Sequence, residues 1–231
     1  MQKAFTLIEL VFVIVIIGVL AVAIIPRVQT NPVEEAAIQL LSHIRYARHL
    51  ALVDDKYDVN NATWFKQRWQ IAFISSKEAA YGPSYTIYAD TSNNSTGDAN
   101  EIEIALNPLN SNQRLTGGHS GDIDLDIKSD SFVGMKKLNL KLSYGIESLT
   151  LSSSCKVYGS KRIYFDYMGR PIKGKLGKAS GGGNTKAYEP KNLIQENCYI
   201  KLSNSNKDVS IKITPETGYS CIMKADNSSC R

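Results

Sequence analysis

The chain is poor in the residues from which most metal and catalytic sites are built. It has 231 residues but three histidines and four cysteines, and no two cysteines form a C-x-x-C pair. Zinc is therefore not expected, because structural zinc sites take closely spaced Cys and His ligands. No Ser/His/Asp or Cys/His arrangement stands out at a catalytic spacing. The sequence thus predicts neither an enzyme nor a bound metal or cofactor.

Charge of one sign is not concentrated anywhere in the chain. Lys and Arg number 27 against 22 Asp and Glu, and the surplus of five is spread along the sequence. Such a balance does not by itself imply a nucleic-acid partner. The length suits one sizeable domain with an apolar core.

The four cysteines all lie in the C-terminal third, at Cys155, Cys198, Cys221 and Cys230. An even number of cysteines in a chain with an export segment favours disulfides in an oxidising compartment such as the periplasm. Three connectivities are open, and the short separation favours a Cys221–Cys230 pair. The alternative is four buried, reduced thiols in a cytosolic protein.

An apolar run occupies the N-terminus, where residues 10–25 are all apolar or Gly and Phe5 to Leu7 extend the run. Residues 5–25 would make a helix about 31 Å long, which matches a bilayer core. We therefore predict a transmembrane helix over 5–25. The small-residue cleavage site of a secretory signal follows its apolar run, whereas here Ala4 precedes it. Cleavage at Ala4 would leave the helix attached to the mature protein.

The segment from Ala4 to Leu10, A-F-T-L-I-E-L, resembles the prepilin cleavage and methylation motif of type IV pilins and type II secretion pseudopilins. The resemblance implies a leader over 1–4, cleavage between Ala4 and Phe5 by a prepilin peptidase, and methylation of the Phe5 amine. The chain has Ala4 where the family nearly always has Gly. That departure predicts slower cleavage.

Glu9 places one carboxylate inside the apolar run. A charge in a membrane-spanning helix costs at least about 2.5 kcal/mol, so a partner is expected. The freed amine of Phe5, on the same or a neighbouring subunit, would supply the cation and set the register of a filament. The alternative is a tolerated acid that reaches the headgroups.

The pattern after the apolar run predicts an α+β fold with a long helix followed by antiparallel sheet. Pro26 marks a kink, and Asn31-Pro32 with Glu34 starts an amphipathic helix within the segment 26–56. Alternating runs then predict a β-rich domain over 57–231. The predicted strands are 65–73, 85–88, 101–104, 123–127, 138–142, 162–167, 198–202, 209–213 and 219–223. His43 and His49 are interpreted as surface or semi-exposed helix residues.

Three later segments resemble the GspH/FimT-type minor pseudopilins. They are the helix segment 44–48, the run from Phe165 and Asp166 to Gly169, Arg170 and Pro171, and the strand and turn over 209–218 that ends at Gly218. Gly169 and Gly218 are equally explained as turn residues with positive φ. The segment 90–131 is the expected insertion in this otherwise pilin-like architecture.

Three segments carry residues typical of other kinds of binding site. A basic, glycine-rich segment either contacts DNA phosphates or is a solvated loop. Its lysines are Lys173, Lys175, Lys178 and Lys186. The loop reading is favoured because no aromatic residue interleaves with the lysines. Asp122, Asp124 and Asp126 resemble a calcium loop but lack its Gly and its bidentate Glu. Residues 169–175 mimic a phosphate-binding loop without the hydroxyl or the following helix.

The sequence therefore favours a minor pseudopilin, a structural subunit of a type II secretion pseudopilus. The alternative is a minor type IV pilin of a DNA-uptake or surface fibre that binds DNA. The resemblance implies other pilin or pseudopilin subunits as partners through the N-terminal helix, together with the prepilin peptidase/methyltransferase, an inner-membrane assembly platform and a cytoplasmic ATPase. We expect a single-pass inner-membrane protein, and the cysteines decide its orientation, with a cytoplasmic N-terminus and a periplasmic domain.

Overall fold

A computed structural model describes residues 6–24, 31–74, 82–92, 99–118, 127–157, 159–176, 186–226 and 228–231. Two compact units are present, residues 1–31 and 32–231. The order of a helix followed by antiparallel sheets is the predicted α+β fold and is consistent with a pilin fold.

The first unit contains α1, Leu7–Ile24, an 18-residue helix in which Glu9 is the one charged residue. Through the described ranges of the chain, no helix combines the length and the apolarity that crossing a membrane requires. The second unit begins with α2, Pro32–Val53, which confirms the predicted helix start at Pro32. Its 22 residues make about six turns.

The described residues of the second unit form two four-stranded antiparallel sheets and a small hairpin. The strands are β1 Gln70–Ile74, β2 Ser84–Tyr88, β3 Leu106–Asn107, β4 Asn110–Arg114, β5 Ser148–Leu151, β6 Arg162–Phe165, β7 Pro171–Lys173, β8 Cys198–Ser203, β9 Asp208–Ile213 and β10 Ser220–Ile222. The first sheet has the order β2-β1-β6-β7 and the second β10-β9-β8-β5, while β3 pairs with β4.

One apolar stripe of α2 packs on strands of both sheets, as the sequence predicts. The stripe is spaced so that its members share one helix face, and all are buried: Val33, Ala36, Ala37, Leu40, Ile44, Ala47 and Ala51. They form one core with inward residues such as Ile71 of β1 and Ile211 of β9. Four alanines in the stripe let the helix backbone lie close to the sheets. The core therefore sits between α2 and the two sheets.

Two predicted strands are wrong because local capping overrides the alternation of apolar residues. Residues 101–103 form a short 3-10 helix, in which Glu103 turns back to accept the Asn100 N–H at 2.9 Å. Residues 140–144 form α3, Leu140–Tyr144, and the Asn139 side chain caps it by accepting the Leu142 N–H at 3.0 Å. A side chain that satisfies helical N–H groups stabilises a turn that period-two alternation cannot reveal.

The other predicted strands that fall on described residues are present, with bounds that differ by one to a few residues. The segment predicted over 65–73 begins as a 3-10 helix, Trp64–Gln67, and becomes β1 only at Gln70. The strand predicted over 162–167 ends at Phe165, because Asp166 starts a turn. Residues 123–126 lie outside the described residues. The strands β3, β4, β5 and β7 were not predicted.

Candidate functional site

The N-terminus of α1 is capped by hydrogen bonds between Thr6 and Glu9. The backbone N–H of Thr6 donates to Glu9 Oε2 at 3.0 Å, and the Thr6 hydroxyl donates to the same oxygen at 2.9 Å. In return, the Glu9 N–H lies 3.4 Å from Thr6 Oγ1. This is a capping box, which satisfies N–H groups that the first turn of a helix otherwise leaves unpaired. Glu9 therefore has a local partner that the sequence analysis did not foresee, although the T-x-x-E spacing signals it.

The other residues of the predicted processing site lie outside the described residues. These are Ala4 and Phe5, which flank the expected cleavage point, and Pro26, the expected kink. The pairing of Glu9 with the amine of Phe5 therefore stays a prediction.

The segment from Phe165 to Pro171 forms the turn between β6 and β7, with Asp166 at its centre. The buried Asp166 carboxylate accepts the Met168 N–H at 3.0 Å and the Arg170 N–H at 2.9 Å. Its other oxygen accepts Arg170 Nε at 2.7 Å, and this hydrogen bond raises the pKa of Arg170. A carboxylate that holds two backbone N–H groups and a guanidinium fixes the turn. These contacts explain locally why the segment carries Asp and Arg.

Gly169 and Gly218 both have positive φ, 75° and 63°, which agrees with their interpretation as turn residues. The two turns also touch each other. A Cβ on Gly218 would lie 2.3 Å from the Gly169 carbonyl oxygen, and that same oxygen accepts Arg48 Nε of α2 at 3.2 Å. One point thus joins the β6–β7 turn, the β9–β10 turn and α2. We call Arg48, Asp166, Gly169, Arg170 and Gly218 the turn cluster.

The start of the chain matches a known family motif. Residues 1–25 match the prokaryotic N-terminal methylation motif, the segment in which the structure places the Thr6–Glu9 cap. The N-terminal segment is therefore that of a type IV pilin-like protein. Among curated proteins and solved structures, none matches it significantly. The motif implies processing by a prepilin peptidase, membrane anchoring and assembly with other pilins.

The pilin-like chain contains two disulfides, Cys155–Cys198 and Cys221–Cys230, so the favoured short pair is confirmed. Cys155 and Cys198 are fully buried and tie the segment after β5 to the start of β8. Cys221 lies in β10, and its bond to Cys230 brings the C-terminus back along that strand through a bridge between Met223 and Cys230. The disulfides therefore brace the second sheet.

The candidate DNA-contacting lysines are not equivalent. Lys173 in β7 donates to the Ser154 carbonyl at 3.0 Å, Lys175 is half-buried, and Lys186 is exposed. Lys178 lies outside the described residues, as do Asp122, Asp124 and Asp126 of the candidate calcium loop. Within the described part of the chain, no group of three His, Cys, Asp or Glu side chains could hold a metal.

Aromatic and basic side chains stack on one another around Tyr188, which lies two residues after Lys186 in the chain, and the sequence spacing did not predict this stacking. The buried Arg68 guanidinium lies 4.7 Å from the Trp64 ring centroid and 4.6 Å from that of Tyr188. The Arg170 guanidinium also lies near the Tyr188 ring, 5.4 Å from its centroid. Such stacking is attractive because the ring faces are electronegative. The residues meet through long-range folding, since Arg68 and Tyr188 belong to distant segments.

His43 was predicted to be semi-exposed, and it is half-buried. Its Nδ1 lies 2.7 Å from the hydroxyl of the fully buried Tyr85, and burial lowers the pKa of His43 to about 4. The imidazole is therefore neutral at neutral pH and part of a polar contact between α2 and β2. His49 is exposed on the same helix.

Proposed function

We propose that the chain is a minor pseudopilin, a structural subunit that helps to assemble a type II secretion pseudopilus and acts without catalysis. Residues 5–25 anchor it in the inner membrane, the domain over 57–231 lies in the periplasm, and an inner-membrane platform inserts it into the filament. The observation that carries the proposal is the prepilin-type motif at residues 1–25. Two disulfides fit an oxidising compartment such as the periplasm.

The turn cluster supports the minor-pseudopilin part of the proposal. The three segments that resemble GspH/FimT-type proteins are distant in sequence, yet Arg48, Gly169 and Gly218 meet at one point. These contacts hold two turns and α2 together, which suits a subunit whose role is structural.

The test separates membrane insertion from assembly through Glu9. Glu9→Leu removes a charge from the apolar run, so insertion should be unharmed. It also removes the carboxylate available to the N-terminal amine of a neighbouring subunit. The variant should be as abundant in membranes as wild type, while its recovery in sheared filaments should fall at least about tenfold.

Thr6→Ala is the matched control, because it weakens the same cap but keeps the carboxylate. If assembly tracks the cap and not the charge, both variants will fail equally. Glu9→Leu assembling like wild type would overturn the role of Glu9 in the proposed function.

A second candidate function, DNA binding in an uptake fibre, is favoured by the aromatic and basic side chains around Tyr188. Stacking of bases on exposed aromatic rings next to cations is how single strands are held without sequence preference. Tyr188 is partly exposed and contacts Arg68 and Arg170. Lys186 lies two residues away in the chain.

The DNA candidate is tested by charge removal in two matched regions. Lys175, Lys178 and Lys186 are changed together to Gln and compared with a triple change of the exposed Lys136, Lys137 and Lys141. If DNA binds here, the first variant alone loses affinity, and its salt dependence becomes shallower. Equal binding by both variants, or none by wild type, leaves secretion as the function.

A further inference from the structure

Arg68 is a buried cation for which the described residues supply no counter-ion. The side chain is 3% exposed, and its Nη1 donates to the Ala187 carbonyl at 2.8 Å. Its Nη2 is buried and has no hydrogen-bond partner in the described part of the chain. Asp54 and Asp55 line a narrow cleft with Arg68, yet no described carboxylate pairs with it. A buried charge without a counter-ion is strongly unfavourable, and stacking on aromatic rings offsets only part of that cost.

Gln70 brings two further unsatisfied atoms to the same place. The residue is fully buried, and neither Nε2 nor Oε1 of its amide has a partner among the described residues. Arg68 and Gln70 are two residues apart in extended chain, so their side chains share one face. On that face Tyr164 is paired directly with Gln70, and its ring centroid lies 6.0 Å from the Arg68 guanidinium. The two unsatisfied side chains therefore lie beside the same tyrosine.

The three unsatisfied atoms define the ligand that would suit them. Arg68 Nη2 and Gln70 Nε2 are donors, whereas Gln70 Oε1 is an acceptor. An oxyanion supplies acceptor oxygens and the negative charge that Arg68 needs. Inorganic phosphate also keeps a proton on one oxygen throughout the neutral range, so it can donate to Oε1. Sulfate, carboxylates and phosphodiesters carry no proton at neutral pH and would leave Oε1 without a donor.

Tyr188 provides a route from solvent to Arg68. Its ring centroid lies 4.6 Å from the Arg68 guanidinium, and the side chain is partly exposed. Tyr188 also lines an open depression of about 550 Å³, together with Lys186, Glu189 and Lys191. Glu189 pairs with Lys191 at 3.0 Å, so its charge is balanced there. Lys186 adds a positive charge at this entrance, which attracts anions.

We propose that Arg68 and Gln70 bind inorganic phosphate beside Tyr164, and that the ion enters when the Tyr188 side chain rotates. Arg68 Nη2 and Gln70 Nε2 donate to phosphate oxygens, and the phosphate O–H donates to Gln70 Oε1. The bound ion neutralises the buried guanidinium. The site does not depend on the proposed function. It also differs from the DNA candidate, because a phosphodiester lacks the proton that Gln70 requires.

The test titrates the detergent-solubilised full-length chain with inorganic phosphate or with sulfate, at neutral pH and constant ionic strength. The Trp64 ring centroid lies 4.7 Å from the Arg68 guanidinium, so tryptophan fluorescence reports on occupancy. Phosphate should change the fluorescence saturably and raise the thermal unfolding midpoint. Its apparent affinity should exceed that of sulfate at least about tenfold. Equal responses to the two ions would indicate an adventitious ion only and overturn the proposal, as would no response to phosphate.

Gln70→Leu tests the origin of the selectivity. The substitution keeps a side chain of similar size but removes both amide atoms, so phosphate should lose its advantage over sulfate. Lys186→Gln is the matched control at the entrance and should keep that advantage. A Gln70→Leu variant that still prefers phosphate would contradict the proposed site.

Arg68→Met separates a ligand site from a purely structural stack of rings. The variant should lose the response to phosphate, while its unfolding midpoint without phosphate should be unchanged or higher, because an uncompensated buried charge is gone. Arg170→Met is the comparison, since it deprives the buried Asp166 carboxylate of its guanidinium and should lower the midpoint. Equal destabilisation by both substitutions would show that Arg68 serves the fold alone and overturn the proposal.

Discussion

At the scale of single residues, the turn cluster brings the backbones of two turns into contact. Gly218 has a positive φ and also faces the Gly169 carbonyl oxygen, so a side chain there meets two obstacles. Gly145, at the end of α3, has nearly the same φ of 65° but open space around its Cβ position. The pair therefore separates backbone strain from steric conflict.

Gly218→Ala should cost clearly more stability than Gly145→Ala. The left-handed conformation alone costs about 1–2 kcal/mol for a residue with a Cβ. At Gly218 the contact with the Gly169 oxygen adds to it, for a total of about 3 kcal/mol or more. Urea unfolding of the detergent-solubilised chain, followed by fluorescence of Trp64 and Trp69, measures both. Equal losses would show that the two turns do not press on each other.

His43 gives the chain a predicted sensitivity to acid. Its folded-state pKa of about 4 lies below the ordinary value of 6.5, so the unfolded chain binds the proton more readily. Stability should therefore decline as pH falls from about 6.5 toward 4. His43→Gln should flatten that part of the unfolding-against-pH profile. A profile unaltered by His43→Gln would contradict the buried, neutral imidazole.

Residue-level prediction from sequence succeeded where the cause is local and failed where it is not. Positive φ at Gly169 and Gly218 followed from the turn pattern. Their contact through Arg48 did not, because it depends on how α2 and two turns meet. The stacking of Arg68 on the rings of Trp64 and Tyr188 was not predicted, because it also depends on how distant segments meet.

At the scale of elements, α2 has a buried face and an exposed face. Leu40 is fully buried against the sheets, while Ile38, two residues earlier, is 56% exposed. Leu40→Ala should cost about 2–5 kcal/mol through lost burial and a cavity. Ile38→Ala should change the free energy of unfolding by no more than about 0.5 kcal/mol. Thermal unfolding of the two variants checks this, and similar losses would place Ile38 in the core.

The false strands show which elements sequence patterns confuse. Both segments alternate apolar and polar residues, as a half-buried strand does. Asn100 with Glu103, and Asn139 with Leu142, make local hydrogen bonds that favour a turn instead. By contrast, α2 was predicted well, because its apolar period extends over many turns and its start has Asn31 and Pro32.

At the scale of the whole molecule, the disulfides contribute unequally to stability. Cys155 and Cys198 are 43 residues apart and Cys221 and Cys230 are nine apart. A longer closed loop restricts the unfolded chain more, by about 4 against about 3 kcal/mol. Replacing the first pair by Ala should therefore lower the urea midpoint more than replacing the second. The reverse order would mean that the C-terminal loop braces the fold more than chain entropy predicts.

The central claim is that this chain is a pilin-like subunit that is processed at its N-terminus. The measurement that tests it most directly is the intact mass of the protein recovered from membranes. The account predicts a chain that has lost Met1 to Ala4 and begins at Phe5 carrying one added methyl group. A chain that still begins at Met1, or one that begins after Ile25, would contradict it.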